Sequence, residues 1–147
     1  MKITDAFIAE HAVLYAQLDH LETAVPAART AGEIKAMAGL LEAALRSHAH
    51  LEDELLFNGL EPGLDQMGKL EKVQHEHDAI CKGLELVHAA RTRKDAQRRL
   101  LNVVHLTRKE FDLEDRIIFR MADELMHGDT LLKLGRAWAR HRAVPSR

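Results

Sequence analysis

Residues 45–57, LRSHAHLEDELLF, and residues 105–119, HLTRKEFDLEDRIIF, decide the fold. In the first, Leu45, His48, Glu52 and Leu55 recur every three or four positions; in the second, Thr107, Glu110, Glu114 and Ile117 do the same. That spacing is the period of an α-helix and puts each set on one stripe. The stripes are apolar on either side of these stretches, so His48, Glu52, Glu110 and Glu114 stand where a core-facing helix needs an apolar side chain.

Outward from these two stretches, helical spacing covers nearly the whole chain, and nothing alternates with period two. The pattern predicts an all-α fold: an up-down-up-down four-helix bundle over residues 1–127, with a short C-terminal helical tail over 128–147. The first helix runs from about Thr4 to Ala24 and stops at Pro26, with Phe7, His11, Leu14, Leu18, Leu21 and Val25 inward. The second starts at Thr30, where Glu33 completes a capping-box pattern, and ends near Asn58-Gly59. Its stripe is Ile34, Met37, Leu41, Leu45, His48, Glu52 and Leu55. The third opens after Glu61-Pro62-Gly63 and runs to about Ala90, with Met67, Leu70, Gln74, His77, Cys81 and Leu84 inward. The fourth follows Thr92 and reaches His127, with Leu100, Val103, Thr107, Glu110, Glu114, Ile117, Met121 and Leu125 inward. Short connections make sequential helices antiparallel neighbours. In the tail, Asp129 is placed to cap a basic segment whose Leu131, Leu134 and Trp138 lie over one end of the bundle.

Composition narrows the function. With 46% hydrophobic and 30% charged residues in a chain of 147, disordered and fibrous classes are excluded. No apolar run reaches the roughly 18 residues needed to span a bilayer, and the start, MKITDAFIAEH, does not read as a signal peptide, so no membrane and a cytoplasmic location are expected. A formal charge of −2 with interleaved signs offers no stripe for nucleic acid. The lone Cys81 excludes a disulfide framework and a Cys-rich zinc site. Histidine stands out: there are 10, against 6 aromatic residues.

Six polar residues fall on inward stripes: His11, His48, Glu52, His77, Glu110 and Glu114. Each helix supplies at least one, and at about 1.5 Å per residue their distances from the shared turns agree to within a turn or two. Three carboxylates and three imidazoles in one apolar layer are very costly unpaired, and a pair of divalent cations would neutralise them. His20, His50 and His75 lie on the opposite sides of their helices and read as solvated. Tyr15 follows His11 by one turn and reads as packing or as a hydroxyl offered to the site; Met37, Met67 and Met121 read as core filling. Glu85-x2-His88 and Glu124-x2-His127 match another di-metal pattern, but they lie at ends of the bundle that cannot converge.

His11 within AEHAVL, His48-x3-Glu52 before LLF, His77 within HEHDAI, and Glu110-x3-Glu114 before IIF together resemble the hemerythrin-like, or HHE cation-binding, domain. The resemblance spans roughly residues 4 to 127. It implies a non-haem centre of two Fe ions bridged by two carboxylates and an oxo or hydroxo group. Carried over, His11, His48 and His77 are terminal ligands and Glu52 and Glu114 the bridges. The chain departs from the family at Glu110, where the last motif normally has His, and at Val73, where oxygen-carrying members have a second His on the third helix. His105-x4-Glu110 resembles the oxygen carriers' His-x4-Asp, but His105 is about 180° from Glu114 on a regular helix. An added carboxylate favours Fe(III), which makes the reduced centre easier to oxidise; Mn and Zn are also accepted by such donors.

Three functions follow from this reading. The first is a di-iron protein that binds a small ligand, oxygen, nitric oxide or peroxide, for sensing, storage or detoxification. The second is a di-iron oxidase or peroxide-consuming enzyme, and the third a metal-handling protein with a structural site. No protein partner is identifiable from the residues.

Overall fold

The computed structural model of the chain describes residues 1–60 and 68–144, excluding the Leu70 side chain. All its elements among the described residues are helical: α1 (Ile3–Ala27), α2 (Ala31–Glu52), π1 (Asp53–Phe57), α3 (Lys69–Ala89), α4 (Arg93–Leu113), π2 (Glu114–Ile118), α5 (Phe119–Leu125) and α6 (Gly128–His141). The segments π1 and π2 are single π-helical turns that continue α2 and α4 without a break. No helix is long and apolar enough to cross a membrane among the described residues. The start expected at Glu61-Pro62-Gly63 and the side chains of Met67 and Leu70 lie outside the described residues.

The helix starts follow from local chemistry. The Thr30 hydroxyl accepts from the Glu33 N–H at 3.1 Å, and Thr92 does the same for Asp95 at 3.1 Å, each satisfying a donor that the helix leaves free. The Glu33 carboxylate reaches past Thr30 to the Arg29 N–H at 2.7 Å, so the expected reciprocal box closes one residue earlier. Pro26 lies inside the last turn of α1 rather than ending it, so the helix carries on for one residue past a proline that cannot donate to the ladder. His127, not Asp129, occupies the N-cap of α6, and Asp129 sits in the first turn near the positive end of the helix.

Long-range bonds fix the direction of each helix. Thr4 at the start of α1 donates to Asp123 of α5 at 3.0 Å, while Gln97 at the start of α4 donates to the carbonyl of Val25 at 3.2 Å. Helices α1 and α4 therefore run in opposite senses. His88 meets Glu42 at 2.9 Å between α3 and α2, and Lys109 meets Glu76 at 3.3 Å between α4 and α3. The apolar core is divided in two. One cluster includes Leu18, Val25, Ile34, Leu41, Ile80, Val87 and Leu100, and the other includes Ile3, Phe7, Leu56, Val73, Ile118, Phe119 and Leu131.

The inward faces of α1 and α2 are those the periodicity predicts. On α3 the buried stripe is Val73, Ile80, Leu84 and Val87, and Gln74 and Cys81 face outward. The expected stripe was centred on His77, which lies at the edge of the true one, about 40° from Val73 at about 100° per residue. On the fourth rod Ile117 and Leu125 are exposed and Ile118, Phe119 and Ala122 are buried. The π2 turn widens the helix and advances the inward face by one residue, which a fixed helical period cannot anticipate.

The tail also differs from expectation. Rather than lying over one end, α6 begins there, with Leu131 in the core, and then runs down the side of α1, where Trp138 meets Glu10 at 2.6 Å. Gly135 permits the approach, because a Cβ at this position would collide with the Met1 carbonyl. Replacing Gly135 by Ala is expected to destabilise the fold by about 1–3 kcal/mol and to redshift Trp138 emission as α6 lifts. Gly39→Ala in α2, where a Cβ meets nothing within 4 Å, is expected to stabilise by about 0.5–1 kcal/mol. Denaturant melts of the two variants, followed by fluorescence, check both signs.

Candidate metal centre

Between the two apolar clusters lies a layer containing all six residues singled out on the sequence. His11, His48, Glu52, Glu110 and Glu114 are buried and His77 is partly buried. Donor atoms of His11, His48, Glu52 and Glu114 lie within 4.8 Å of one another, and so do those of His77, Glu110 and Glu114. Glu114 belongs to both groups and Glu52 to the first. His11 Nε2 is 3.3 Å from Glu114, His48 Nε2 is 3.3 Å from Glu52, and His77 Nε2 is 2.8 Å from Glu110.

The donor chemistry fits cations. Oε1 of Glu52, Oε1 of Glu110 and both oxygens of Glu114 are buried with no hydrogen-bond partner. Glu110 Oε1 is close to His77 but out of line with a ring N–H, so proximity there is not a hydrogen bond. The Nε2 atoms of His11 and His48 face each other at 2.9 Å. Orphaned carboxylate oxygens and converging imidazole nitrogens are costly by themselves, and a divalent metal satisfies both at once.

Two further carboxylates set the imidazoles in place. His11 Nδ1 donates to Asp115 at 2.7 Å and His48 Nδ1 donates to Glu10 at 2.7 Å, which leaves both Nε2 atoms aimed inward. Glu10 in turn accepts from Trp138 Nε1 at 2.6 Å and from Arg142 Nε at 2.6 Å and Nη2 at 3.0 Å. Sequence reasoning missed Glu10 and Asp115, because each lies one position off an inward stripe. Their adjacency to His11 and Glu114 was the available signal. Asp115 sits in π2, immediately after Glu114, so that neighbouring residues provide a donor group and the support for another donor.

Aromatic rings wall the layer. Phe111 stacks on His11 with centroids 3.9 Å apart, and Phe7 presents an edge to His48 at 5.7 Å. Tyr15 packs edge-on against Phe111 at 5.5 Å, which supports its packing role. A cavity of about 380 Å³ opens between α2 and α3 and reaches His77 and Glu110 as well as His48 and Glu52, with Leu45, Ile80, Leu84 and Phe111 among its apolar lining residues. His20, His50, His75 and His105 are exposed, as are His88, Glu85, Glu124 and His127. None of them joins the two groups of donors.

The metal-free layer holds protons tightly. Burial opposes charging the imidazoles, yet Asp115 and Glu114 push His11 up to about 9, and Glu52 and Glu10 push His48 up to about 10. Burial likewise opposes a charge on His77, and Glu110 raises it to about 9. Burial and the nearby Glu52 raise Glu114 to about 8. Geometry limits the proton count, since two N–H groups cannot occupy the 2.9 Å between His11 and His48.

Comparison with known proteins gives one match. A family model described as the hemerythrin HHE cation binding domain matches residues 2–122. No curated protein and no solved structure matches.

Opposite pH slopes are expected for the metal-free and metal-loaded states. Stability from the one extra proton that the His11–His48 pair can hold, and from the raised His77, is complete below the ordinary imidazole value of 6.5 and lost as pH rises through about 9 to 10. The raised Glu114 carboxyl acts in the same direction between 4.5 and about 8, where an unfolded carboxyl ionises and the buried one does not. Metal-free protein should therefore melt at lower temperature at pH 9.5 than at pH 6. Metal uptake needs those protons gone, so metal affinity should rise over the same range with measurable proton release. Thermal melts and a pH-stat titration with Zn(II) check the two slopes.

Proposed function

The chain belongs to the hemerythrin HHE cation-binding domain family, and on that premise we propose that it holds two iron ions and uses them to bind a small ligand, namely oxygen, nitric oxide or peroxide. The observation that carries the reading is Glu114: a fully buried carboxylate with neither oxygen hydrogen-bonded, shared by two groups of converging donors. His11, His48 and Glu52 would hold one ion, His77 and Glu110 the other, and Glu114 both, with Mn or Zn as chemically acceptable substitutes. Glu52, assigned as the second bridge by the family resemblance, stands with the His11 and His48 donors. When bound, two irons supply electrons and open coordination positions for a small oxidising ligand.

The protein's own residues do the rest. Asp115 and Glu10 hold His11 and His48 so that their Nε2 lone pairs face inward. Phe7, Phe111 and Phe119 keep water from that side of the layer. The His77 side offers three side-chain donors against four on the other, which leaves it the more open of the two, and the α2–α3 cavity gives a ligand access to donors of both groups, His77 and Glu110 as well as His48 and Glu52. Glu110 brings negative charge to that side and favours the oxidised metal, which works against prolonged reversible storage.

A second reading is a peroxide-consuming or oxidase enzyme: the α2–α3 cavity of about 380 Å³ has room for an organic co-substrate beside a small oxidant, which ligand binding alone does not need. Sustained peroxide consumption by the iron-loaded protein would assign this reading, and stoichiometric binding without turnover the first.

Three variants test the assignments. Glu114→Ala is expected to lose both metal ions and Glu110→Ala one, whereas His105→Ala keeps both, as read by metal analysis of protein from iron-supplemented cells and by its absorption spectrum. Full occupancy in Glu114→Ala removes the two-ion reading. Iron-loaded protein reduced under anaerobic conditions is expected to oxidise promptly on exposure to oxygen and not to recover its reduced spectrum under vacuum. Recovery after hours would make it an oxygen carrier, and failure to react with oxygen, nitric oxide or peroxide would assign a structural metal.

A further inference from the structure

Helix α6 lies beyond residue 122, where the family match ends, yet it reaches the metal layer through one carboxylate. The Arg142 guanidinium donates to both oxygens of Glu10, at 2.6 Å from Nε and 3.0 Å from Nη2, and the Trp138 indole donates to Oε1 at 2.6 Å. Arg142 is itself anchored on α2, donating to the Ser47 hydroxyl and, at 3.2 Å, to the Ser47 carbonyl. Ser47 precedes His48, so the guanidinium spans the carboxylate that holds the imidazole and the backbone that carries it. Glu10 spends its remaining acceptor capacity on His48 Nδ1 at 2.7 Å. Such a carboxylate, fixed from behind by three N–H donors, has one direction left in which to hold a ring.

We propose that Arg142 and Trp138 are positioning residues for the metal centre, locking Glu10 so that it holds the His48 imidazole with Nε2 aimed at the first group of donors. The role rests on the metal-binding reading above. It makes the C-terminal helix part of the site without touching a metal. His11 has no such tie to α6, because its Nδ1 partner Asp115 comes from π2. The clamp therefore acts on one side of the site.

The test is a chelator-buffered Co(II) titration of the full chain and its variants, with thermal melts of the metal-free forms and hydrogen-exchange NMR of the His48 Nδ1 proton. Arg142→Met is expected to weaken one of the two Co(II) steps about tenfold to a hundredfold, to leave the other unchanged, and to speed exchange of that proton in metal-free protein. Glu10→Gln should lose a similar factor at the same step, Trp138→Phe a smaller one, and Arg142→Lys should recover only part of it, because one ammonium cannot reproduce the paired guanidinium contacts. Arg140→Met, an exposed cation on the same helix, should change nothing. Unchanged Co(II) steps and unchanged exchange in Arg142→Met overturn the clamp, as does an equal loss in Arg140→Met or a weakening of both steps alike. If Arg142→Met does not fold, Trp138→Phe and Glu10→Gln carry the same comparison. Wild-type protein that takes up no Co(II) overturns the metal reading and this role together; wild-type uptake with indifferent variants overturns the clamp alone.

Discussion

Glu114 is the constraint around which the protein is organised. Its carboxylate is completely enclosed, both oxygens lack a donor, and Glu52 and Glu110 press further negative charge on it. An apolar residue of similar size would make a better bundle core, since an unpaired buried carboxylate costs several kcal/mol. The surrounding structure answers that cost with imidazoles and protons when no cation is present. It also divides the core into two apolar clusters on either side of the layer, so the stability of the bundle and the charge state of the layer are inseparable.

The supports of the layer come from outside it. Asp115 and Glu10 each accept one imidazole N–H, and each is in turn placed by something a helical stripe does not show. For Asp115 that is the π2 turn, and for Glu10 it is the arrival of α6. A second π turn, π1, follows Glu52 as π2 begins at Glu114. At π2 the adjacent residues Glu114 and Asp115 serve the layer in different ways, one as a donor and one as the support of His11, and the wider turn shifts the inward face of the rod by one residue.

Much of this was legible in the residues. The inward stripes of α1 and α2, the inward placement of Glu110 and the outward placement of His105 follow from helical phase, because those segments are regular, and the caps at Thr30 and Thr92 follow from a hydroxyl placed just before each helix. The six polar residues of the layer were visible as violations of an apolar pattern. Legibility ended where geometry departed from a fixed period. Ile117 was placed inward because nothing in EDRII announces a π turn, and Gln74 and Cys81 were placed inward because the stripe was centred on His77, a residue at the margin of the true one. Glu10 was invisible for a different reason: its partners Trp138 and Arg142 are more than 120 positions away, and periodicity carries no information about such pairs.

The contact between α6 and α1 also orders events in time. During synthesis, α1 and α2 emerge first and carry His11, His48 and Glu52 into solution long before Trp138 and Arg142 exist. Until those residues leave the ribosome, Glu10 has no fixed partner behind it and the Met1 carbonyl is not covered by Gly135. A chain without α6 therefore presents Glu10 and His48 without the N–H donors that fix them from behind. Closure of α6 on α1 is thus the step that completes the support of His48, so that the site matures with the arrival of Arg142 rather than with the appearance of its own residues.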